Sequence, residues 1–349
     1  MLSQKTNMQK KLDFNKDKKE EKKKQASFHF IDLFSGIGGI RLGFEKAGGY
    51  CVYSSEIEPE CVKTYEVNFD ETPDGDITEV NYDSIPNHNV ICGGFPCQPF
   101  SISGKMKGFE DTRGTLFFSI LEIIKTKKPE VVFLENVKQL KYHDKGNTLK
   151  VIIKSLEDEG YIVSWKVLNA LNFGVAQNRE RIIIVGSKTK KFDFEKVKLK
   201  EHKILKDILD KEGDFEYLDE SEYTIIPKIL WKKQKSGLIF CGHRNKSIRK
   251  AGVRPNTEHL SRVHKQPNRI YHIDGTHPTL PSQETSGRFW IYDGKTVRKL
   301  TIDECFRLMG FPNNFKRVST NGHLYKQIGN SVCVPMMEQL AVSVKKQLL

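Results

Sequence analysis

Short apolar runs alternate with longer amphipathic segments through the first half of the chain. The apolar runs have the length and composition of buried β-strands, and the segments between them repeat apolar residues at helical spacing. The predicted strands are 28–34, 52–55, 90–92, 131–134 and 182–185. The predicted helices are 40–47, 59–68, 115–126 and 147–159. This alternation predicts an α/β fold with a parallel sheet that is covered on both faces.

The pattern changes after residue 187, where the sequence becomes charged and irregular up to about residue 291. Apolar residues recur at helical spacing again over 300–309 and 334–344. We therefore predict one α/β domain built from both ends of the chain, with a smaller domain inserted into it. The predicted divisions are a tail at 1–26, the first part of the main domain at 27–189, the insert at 190–290 and a returning C-terminal segment at 291–349.

Positive charge is concentrated in two parts of the 349-residue chain, whose formal net charge is +13. Residues 226–275 contain twelve Lys and Arg against two acidic residues, and residues 1–25 contain nine Lys against four acidic residues. In 226–275 the charges are mixed with aromatic and turn residues, which favours a folded surface facing the phosphates of a nucleic acid. For the N-terminal residues we predict a solvated, disordered Lys-rich arm instead.

The composition excludes several classes of protein. No apolar stretch reaches the roughly 18 residues of a transmembrane helix, so we expect no membrane partner. The Lys-rich N-terminus lacks the apolar core of a secretory signal. The seven cysteines are scattered and none forms a CxxC pair, which is typical of reduced cytoplasmic thiols rather than of disulfides or a zinc site. We therefore expect a cytoplasmic protein without a bound metal ion.

Cys97 is the first candidate for chemistry. It belongs to the sequence GGFPCQPFS at 93–101, which directly follows the predicted strand 90–92. The Gly and Pro residues predict a turn, so the thiol is presented at the end of a strand, where open α/β sheets place their active sites. A thiolate there can attack an electrophile. A single cysteine is more often structural, so its assignment depends on the rest of the chain.

Glycines and acidic residues follow the first strands. The sequence DLFSGIGG at 32–39 ends the first strand in glycines, which permit a tight turn close to a ligand. Glu56 ends the second strand, where a carboxylate commonly binds ribose hydroxyl groups. Asp76, in the sequence GDIT, could bind an adenine amino group. Individually, the glycines fit a plain strand-to-helix turn and the acids fit surface carboxylates.

Two further sequences place polar side chains near strand ends. Glu135, in the sequence ENV, could contact the ring nitrogen and exocyclic amine of a heterocycle and act as an acid if its pKa is raised. The alternative is a helix N-cap. In the sequence QNRER at 177–181, Arg179 and Arg181 are predicted to point the same way, because they are two residues apart on an extended segment. One could bind a base carbonyl and the other a loop or phosphate, and a salt-bridge role fits one of them.

The order of these sequences is specific. They are FSGIGG at 34–39, PCQ at 96–98, ENV at 135–137, QNRER at 177–181 and QIGNS at 327–331. In this order they closely resemble the motifs of the DNA (cytosine-5)-methyltransferases of bacterial and phage restriction-modification systems. The resemblance extends from about residue 28 to residue 344. It implies a Rossmann-like S-adenosylmethionine-dependent methyltransferase domain with a smaller inserted target-recognition domain.

The resemblance also implies a pocket for S-adenosylmethionine, with S-adenosylhomocysteine as the product. The glycine-rich turn, the two acids, neighbouring apolar residues and the C-terminal motif would form this pocket. The corresponding residues are Phe34, Gly36, Ile37, Gly38, Gly39, Glu56, Ile57, Asp76, Ile77, Pro96, Leu116, Asn330 and Val332.

For the reaction, the resemblance implies methyl transfer to C5 of a cytosine that is flipped out of double-stranded DNA. Cys97 would attack C6, Glu135 would bind N3 and N4, and Arg179 would bind O2, with Arg181 and Gln177 completing the catalytic set. The alternatives are a tRNA cytosine-5 methyltransferase with the same core and an inactive DNA-binding regulator. The large basic insert favours DNA over tRNA, and the intact catalytic motifs favour an enzyme.

The insert is expected to read the DNA sequence. Thr279 and Leu280 match the Thr-Leu pair that anchors the family's target-recognition domains, and the sequence at 298–312 is expected to brace this domain. The predicted DNA-binding residues are Ser101, Arg244, Arg262, Thr279, Leu280, Gln283 and Arg288. We expect a monomer that binds double-stranded DNA and is paired in function with a cognate restriction endonuclease.

Overall fold

The computed structural model describes residues 20–96, 116–246, 256–282 and 290–349. Their centre is a six-stranded sheet with the strand order β2-β1-β3-β4-β7-β5. Its strands are β1 (Phe28–Leu33), β2 (Gly49–Ser55), β3 (Val90–Gly93), β4 (Val131–Val137), β5 (Ile162–Asn169) and β7 (Glu180–Ser187). This central sheet, flanked by helices, confirms the predicted α/β fold class.

The sheet is only partly parallel. Strands β1 to β4 are parallel, as predicted, whereas β7 pairs antiparallel with both β4 and β5. The physical reason is the short connection over residues 170–179, which is too short for the helical crossover that a parallel return requires. The edge strand β5 was not predicted, because its residues alternate irregularly between buried and exposed and form no continuous apolar run.

Helices cover both faces of the central sheet. They are α1 (Gly39–Lys46), α2 (Pro59–Phe69), α3 (Leu116–Lys127), α4 (Asn147–Asp158), α5 (Ile302–Leu308), α6 (Asn321–Asn330) and α7 (Val334–Leu348). Helices α1 and α7 pack on one face, and α3 and α4 pack on the other. Helix α1 approaches α7 closely at Gly43, where a Cβ would lie 2.5 Å from the Cβ of Met337. None of the helices in the described residues is both long and apolar enough to span a membrane.

A third hydrophobic core joins α5 and α6 to Ile37 and Leu280. Helix α5 begins at a capping box, in which Thr301 and Glu304 each accept a hydrogen bond from the backbone N–H of the other. The Glu304 carboxylate also accepts two hydrogen bonds from the Arg298 guanidinium, at 2.8 and 2.9 Å. The sequence at 298–312, which was predicted to brace the insert, therefore contributes hydrogen bonds and buried residues to this core.

A second sheet has five strands in the order β13-β12-β10-β9-β8, of which β9 and β10 belong to the Lys- and Arg-rich residues 226–275. These strands are β8 (Tyr223–Ile225), β9 (Phe240–Arg244), β10 (Arg269–His272), β12 (Trp290–Tyr292) and β13 (Val297–Lys299). The short strands β6 (Gln177–Asn178) and β11 (His277–Pro278) pair with each other and link this part of the chain to the main sheet. The division into domains stays a prediction, and β12 and β13 lie at and beyond its boundary at residue 290.

Candidate active site

A cavity of about 640 Å³ lies at the carboxyl ends of the parallel strands β1 to β4. The chain segments that follow these strands form most of its wall, because parallel strands bring their carboxyl ends to one edge of a sheet. Helix α6, the residues that follow it, Arg181 and Leu280 also contribute to the wall. The volume falls in the range of roughly 300–1,000 Å³ that is typical of small-molecule sites.

All but one of the residues predicted to bind the cofactor line this cavity. They are Phe34, Gly36, Ile37, Gly39, Glu56, Ile57, Asp76, Ile77, Pro96, Leu116, Asn330 and Val332. Gly38 does not line it. Gly38 precedes α1 with a φ of 82°, and a Cβ there would lie 2.2 Å from the ring of Phe69. Glycine at this position therefore serves the turn and the packing of α2 against it.

Glu56 is held in a single orientation at the cavity wall. Its Oε2 accepts a hydrogen bond from the backbone N–H of Gly36 at 2.7 Å, and its Oε1 accepts one from the N–H of Glu58 at 2.8 Å. The first contact depends on Gly36, which adopts the left-handed backbone with a φ of 55°. Since each carboxylate oxygen has a further lone pair, Glu56 can still accept hydrogen bonds from two hydroxyl groups of a ligand.

The apolar part of the wall contains both exposed and buried side chains. Ile57 is 66% exposed, whereas Ile77 is 2% exposed. Pro96 and Leu116, which border the segment 97–115, also lie in the wall. Cys97 itself lies outside the described residues.

Glu135 and Arg181 meet at the inner end of the cavity. Glu135 is on β4 and Arg181 is on β7, beside Val137 in the antiparallel pairing. The Arg181 Nε lies 2.9 Å from the Glu135 Oε1, within ion-pair distance. Oε1 is nevertheless buried without a hydrogen-bond partner among the described residues. The pair thus places an oriented carboxyl group in the cavity wall.

The pKa of Glu135 is raised above its ordinary value. Burial is the main cause, because it disfavours the ionised carboxylate, and the nearby charges of Arg181 and Arg179 oppose it. Glu135 therefore holds a proton at higher pH than a solvated glutamate does.

Next to Glu135, the Asn136 side chain donates a 2.8 Å hydrogen bond to the carbonyl oxygen of Phe95. This bond connects β4 to the segment after β3.

The two arginines of QNRER do not point the same way. Arg181 lines the cavity, whereas the Arg179 guanidinium donates hydrogen bonds to the carbonyl oxygens of Leu280, Gly329 and Ser331. The chain changes pairing partner at Arg179: β6 pairs with β11, and β7 pairs with β4 and β5. This break in the strand interrupts the regular alternation of side chains. The placement of Arg179 differs from the predicted contact with a base.

Gln177 is also outside the cavity. It is fully buried, and its Nε2 donates a hydrogen bond to the Met309 Sδ at 3.0 Å. Its Oε1 accepts one from the backbone N–H of Leu280 at 3.2 Å. Gln177 therefore connects the backbone at Leu280 to Met309 in the C-terminal core.

The residues predicted to bind DNA are dispersed. Leu280 is buried in the cavity wall, and Thr279 donates a 2.8 Å hydrogen bond to the carbonyl oxygen of Asn178. Arg262 is exposed. Arg244 is partly buried, with its guanidinium 5.3 Å from the ring centre of Trp290. The remaining predicted contacts lie outside the described residues: Ser101, Gln283 and Arg288.

The sequence alone did not reveal an ion pair at the rim of the cavity. The Lys326 Nζ of α6 lies 2.7 Å from the Glu58 Oε2 just before α2, and both residues line the cavity. The Gln327 side chain adds a 2.7 Å hydrogen bond to the Glu60 carbonyl oxygen. Glu58 and Lys326 are 268 residues apart in the chain. Because of this separation, no local sequence pattern indicates their contact.

Known proteins resemble this chain over most of its length. A family model described as C-5 cytosine-specific DNA methylase matches residues 28–346. The Type II methyltransferase M.HhaI of Haemophilus parahaemolyticus is 40% identical over 338 residues, which cover 93% of this chain and 97% of that protein. The Type II methyltransferase M.MspI of Moraxella sp is 43% identical over 330 residues, which cover 93% of this chain and 72% of that protein.

Among solved structures, the Dnmt2 methyltransferase of S. pombe matches with a TM-score of 0.66 and 20% identity, over 92% of this chain and 100% of that chain. At this identity the likeness concerns the fold alone. The family model and the relatives with about twice that identity carry the assignment, and the family is one of S-adenosylmethionine-dependent methyltransferases. The chain therefore belongs to the C-5 cytosine-specific DNA methylase family, and the protein is a DNA cytosine-5 methyltransferase.

Proposed function

We propose that the enzyme methylates C5 of a cytosine flipped out of a specific short sequence of double-stranded DNA, through a covalent bond between Cys97 and C6. It would act as a monomer in the bacterial cytoplasm and protect DNA from a cognate restriction endonuclease. The observation that carries the reaction is the Glu135–Arg181 pair, which lies in one cavity with a wall suited to a nucleoside.

The cavity residues fit S-adenosylmethionine. Glu56 offers two fixed carboxylate oxygens to the ribose hydroxyls, and Asp76 offers a carboxylate to the adenine amino group. Ile57 and Ile77 offer apolar surface to the adenine ring. The cofactor supplies an electrophilic methyl group on its sulfonium. The protein supplies a site that orients this methyl group toward the base.

The protein residues activate C5 of cytosine, which is a weak nucleophile. The Cys97 thiolate adds to C6, the C5–C6 π electrons move toward C5, and Glu135 stabilises the charge that develops at N3. C5 would then take the methyl group as its bond to the sulfonium breaks, which would leave S-adenosylhomocysteine. Removal of the C5 proton by a base re-forms the double bond, and the thiolate leaves C6. Each cycle regenerates Cys97.

We assign O2 of the cytosine to Arg181 rather than to Arg179. The Arg181 guanidinium lines the cavity beside Glu135, while three backbone carbonyls occupy Arg179. Glu135 at N3 and N4 with Arg181 at O2 would together bind one edge of the base. Glu135 is only 8% exposed, so a base stacked in a duplex does not reach it, and the cytosine must flip out.

Bisulfite sequencing of plasmid DNA tests this function. The plasmid is recovered from cells that express the chain in a host without cytosine methylation of its own. We expect protected cytosines confined to one short sequence motif, which also identifies the recognition site. Resistance of the same plasmid to restriction enzymes that cut at this motif then tests protection.

Absence of protected cytosines in cells that contain folded, soluble protein would contradict the proposal. Transfer of tritiated methyl groups to tRNA would then identify an RNA substrate. Absence of transfer to either nucleic acid would indicate an inactive binding protein.

The exposed Ile57 provides a test of the cofactor site. In Ile57→Ala we expect the dissociation constant for S-adenosylhomocysteine to rise about tenfold, since losing part of a buried isoleucine contact costs about 1.4 kcal/mol. Isothermal titration calorimetry measures this constant. Ile162→Ala is the matched control, because Ile162 is an exposed isoleucine on the edge strand β5 and does not line the cavity. Equal affinities in the two variants would contradict the assigned position of the adenine ring.

A further inference from the structure

Two side chains of the QNRER sequence hold the backbone of Leu280 from both sides. The Gln177 Oε1 accepts a hydrogen bond from the Leu280 N–H at 3.2 Å, and the Arg179 Nη1 donates one to the Leu280 carbonyl oxygen at 3.4 Å. The Thr279 hydroxyl donates to the Asn178 carbonyl oxygen at 2.8 Å. We call this contact between 177–179 and 279–280 the Leu280 joint.

The Leu280 joint also contacts the wall of the cofactor cavity. The Arg179 Nη2 donates hydrogen bonds to the carbonyl oxygens of Gly329, at 2.9 Å, and Ser331, at 2.5 Å. Gly329 and Ser331 both line the cavity. The two segments touch directly as well, since a Cβ on Gly329 would lie 1.9 Å from the Pro281 carbonyl oxygen. The Arg179 guanidinium therefore binds both the backbone at Leu280 and the cavity wall at 329–331.

The environment of Arg179 is unusual for a buried cation. The residue is 1% exposed, and all three of its acceptors are backbone carbonyls. No carboxylate of the described residues forms an ion pair with it. Burying a charge is costly, and only the fixed, planar set of donors in arginine can serve three carbonyls in different segments. A packing role alone would be met at lower cost by an apolar side chain.

We propose that Arg179 is a positioning residue that couples DNA binding by the insert to cofactor binding in the cavity. The proposal rests on the function proposed above. Segment 279–282 leads from the insert to the cavity wall, and Arg179 fixes this segment to the backbone at 329–331. A shift of 279–282 on DNA binding therefore moves residues that contact the cofactor. By thermodynamic reciprocity, the cofactor acts equally on DNA binding.

Equilibrium binding measures this coupling without turnover. The probes are S-adenosylhomocysteine and a short duplex that carries the methylation site identified by bisulfite sequencing. In the wild-type enzyme we expect the duplex to tighten S-adenosylhomocysteine binding by about fivefold or more. In Arg179→Lys we expect this factor to fall close to one, because an ammonium group cannot span the three carbonyls. Affinity for either ligand alone should change much less.

Arg317→Lys is the matched control. Arg317 is a largely buried arginine that pairs with Asp303 at 3.0 Å, and it takes no part in the Leu280 joint or the cavity wall. It should keep the wild-type coupling factor. An unchanged factor in folded Arg179→Lys would overturn the proposal, and so would a factor of one in the wild type. In either case, intact DNA methylation by the wild-type enzyme would leave the proposed function standing.

Hydrogen exchange of the wild-type enzyme tests the same coupling without any variant. Adding the duplex alone, in the absence of cofactor, should slow amide exchange in the peptide that contains 329–331. A duplex without the methylation site is the control and should give a smaller effect. Unchanged exchange in this peptide when the specific duplex is bound would overturn the proposal, even if Arg179→Lys does not fold.

Discussion

Replacing Cys97 by serine is expected to abolish methyl transfer while leaving binding of the specific duplex within a few-fold of wild type. A serine hydroxyl is not ionised near neutral pH, so the covalent step at C6 is lost. The loss should exceed the roughly 10²- to 10⁴-fold that a general acid contributes. Incorporation of tritiated methyl groups measures the activity, and an electrophoretic mobility shift measures the binding.

Cys51→Ser is the control for this substitution. Cys51 is buried in β2, and its Sγ donates a hydrogen bond to the Tyr53 carbonyl oxygen at 3.2 Å, which a serine hydroxyl can also donate. The control should retain activity. Both variants replace one sulfur atom by oxygen, so the comparison isolates the role of the Cys97 thiol. Substantial methyl transfer by Cys97→Ser would rule out the covalent mechanism.

The second large effect is expected for Glu135→Gln. The amide has the size of the carboxyl group and keeps an acceptor for Arg181, but it provides no transferable proton. We expect the methylation rate to fall by about 10²- to 10⁴-fold. Glu180→Gln is the matched control, since Glu180 is next to Arg181 in the chain, pairs with Lys138 at 2.7 Å and does not line the cavity. A comparable loss in both variants would remove the special role assigned to Glu135.

The pH dependence follows from the raised pKa of Glu135. Only the protonated carboxyl can donate to N3, and its fraction falls as pH rises through this pKa, so the rate should fall there too. In Glu135→Gln this descending limb should disappear from the single-turnover rate profile. A descending limb that survives in this variant would assign the titration to another group.

The cofactor wall was largely predictable because it is built from residues that directly follow strands. Phe34, Glu56 and Pro96 each come after an apolar run in the sequence, and a parallel sheet necessarily brings such positions to one edge. Asp76 instead lies in the loop between α2 and β3. The prediction of Gly38 at the wall had the same basis, but packing against Phe69 decides that position. The sequence marks where a turn occurs. It does not show which neighbour fills the space beside the turn.

The C-terminal end of the cavity wall was also identified from a motif. Asn330 and Val332 were assigned by resemblance, and both line the cavity. The partners that hold this part of the wall in place were not identified. Lys326 pairs with Glu58 across 268 residues, and periodicity or spacing cannot reveal a pair at such a separation.

The amino-acid sequence by itself determined the α/β class, the order of the motifs and the family, because these depend on local patterns along the chain. Only the tertiary structure decided that Arg181 meets Glu135 while Arg179 binds three backbone carbonyls in two distant segments. Arg179 and Arg181 are only two residues apart, but the pairing of the chain changes between them. The strand before Arg179 pairs with β11, whereas the strand that contains Arg181 pairs with β4 and β5. The direction of a side chain on a strand depends on the partner strands, and those partners are distant in sequence.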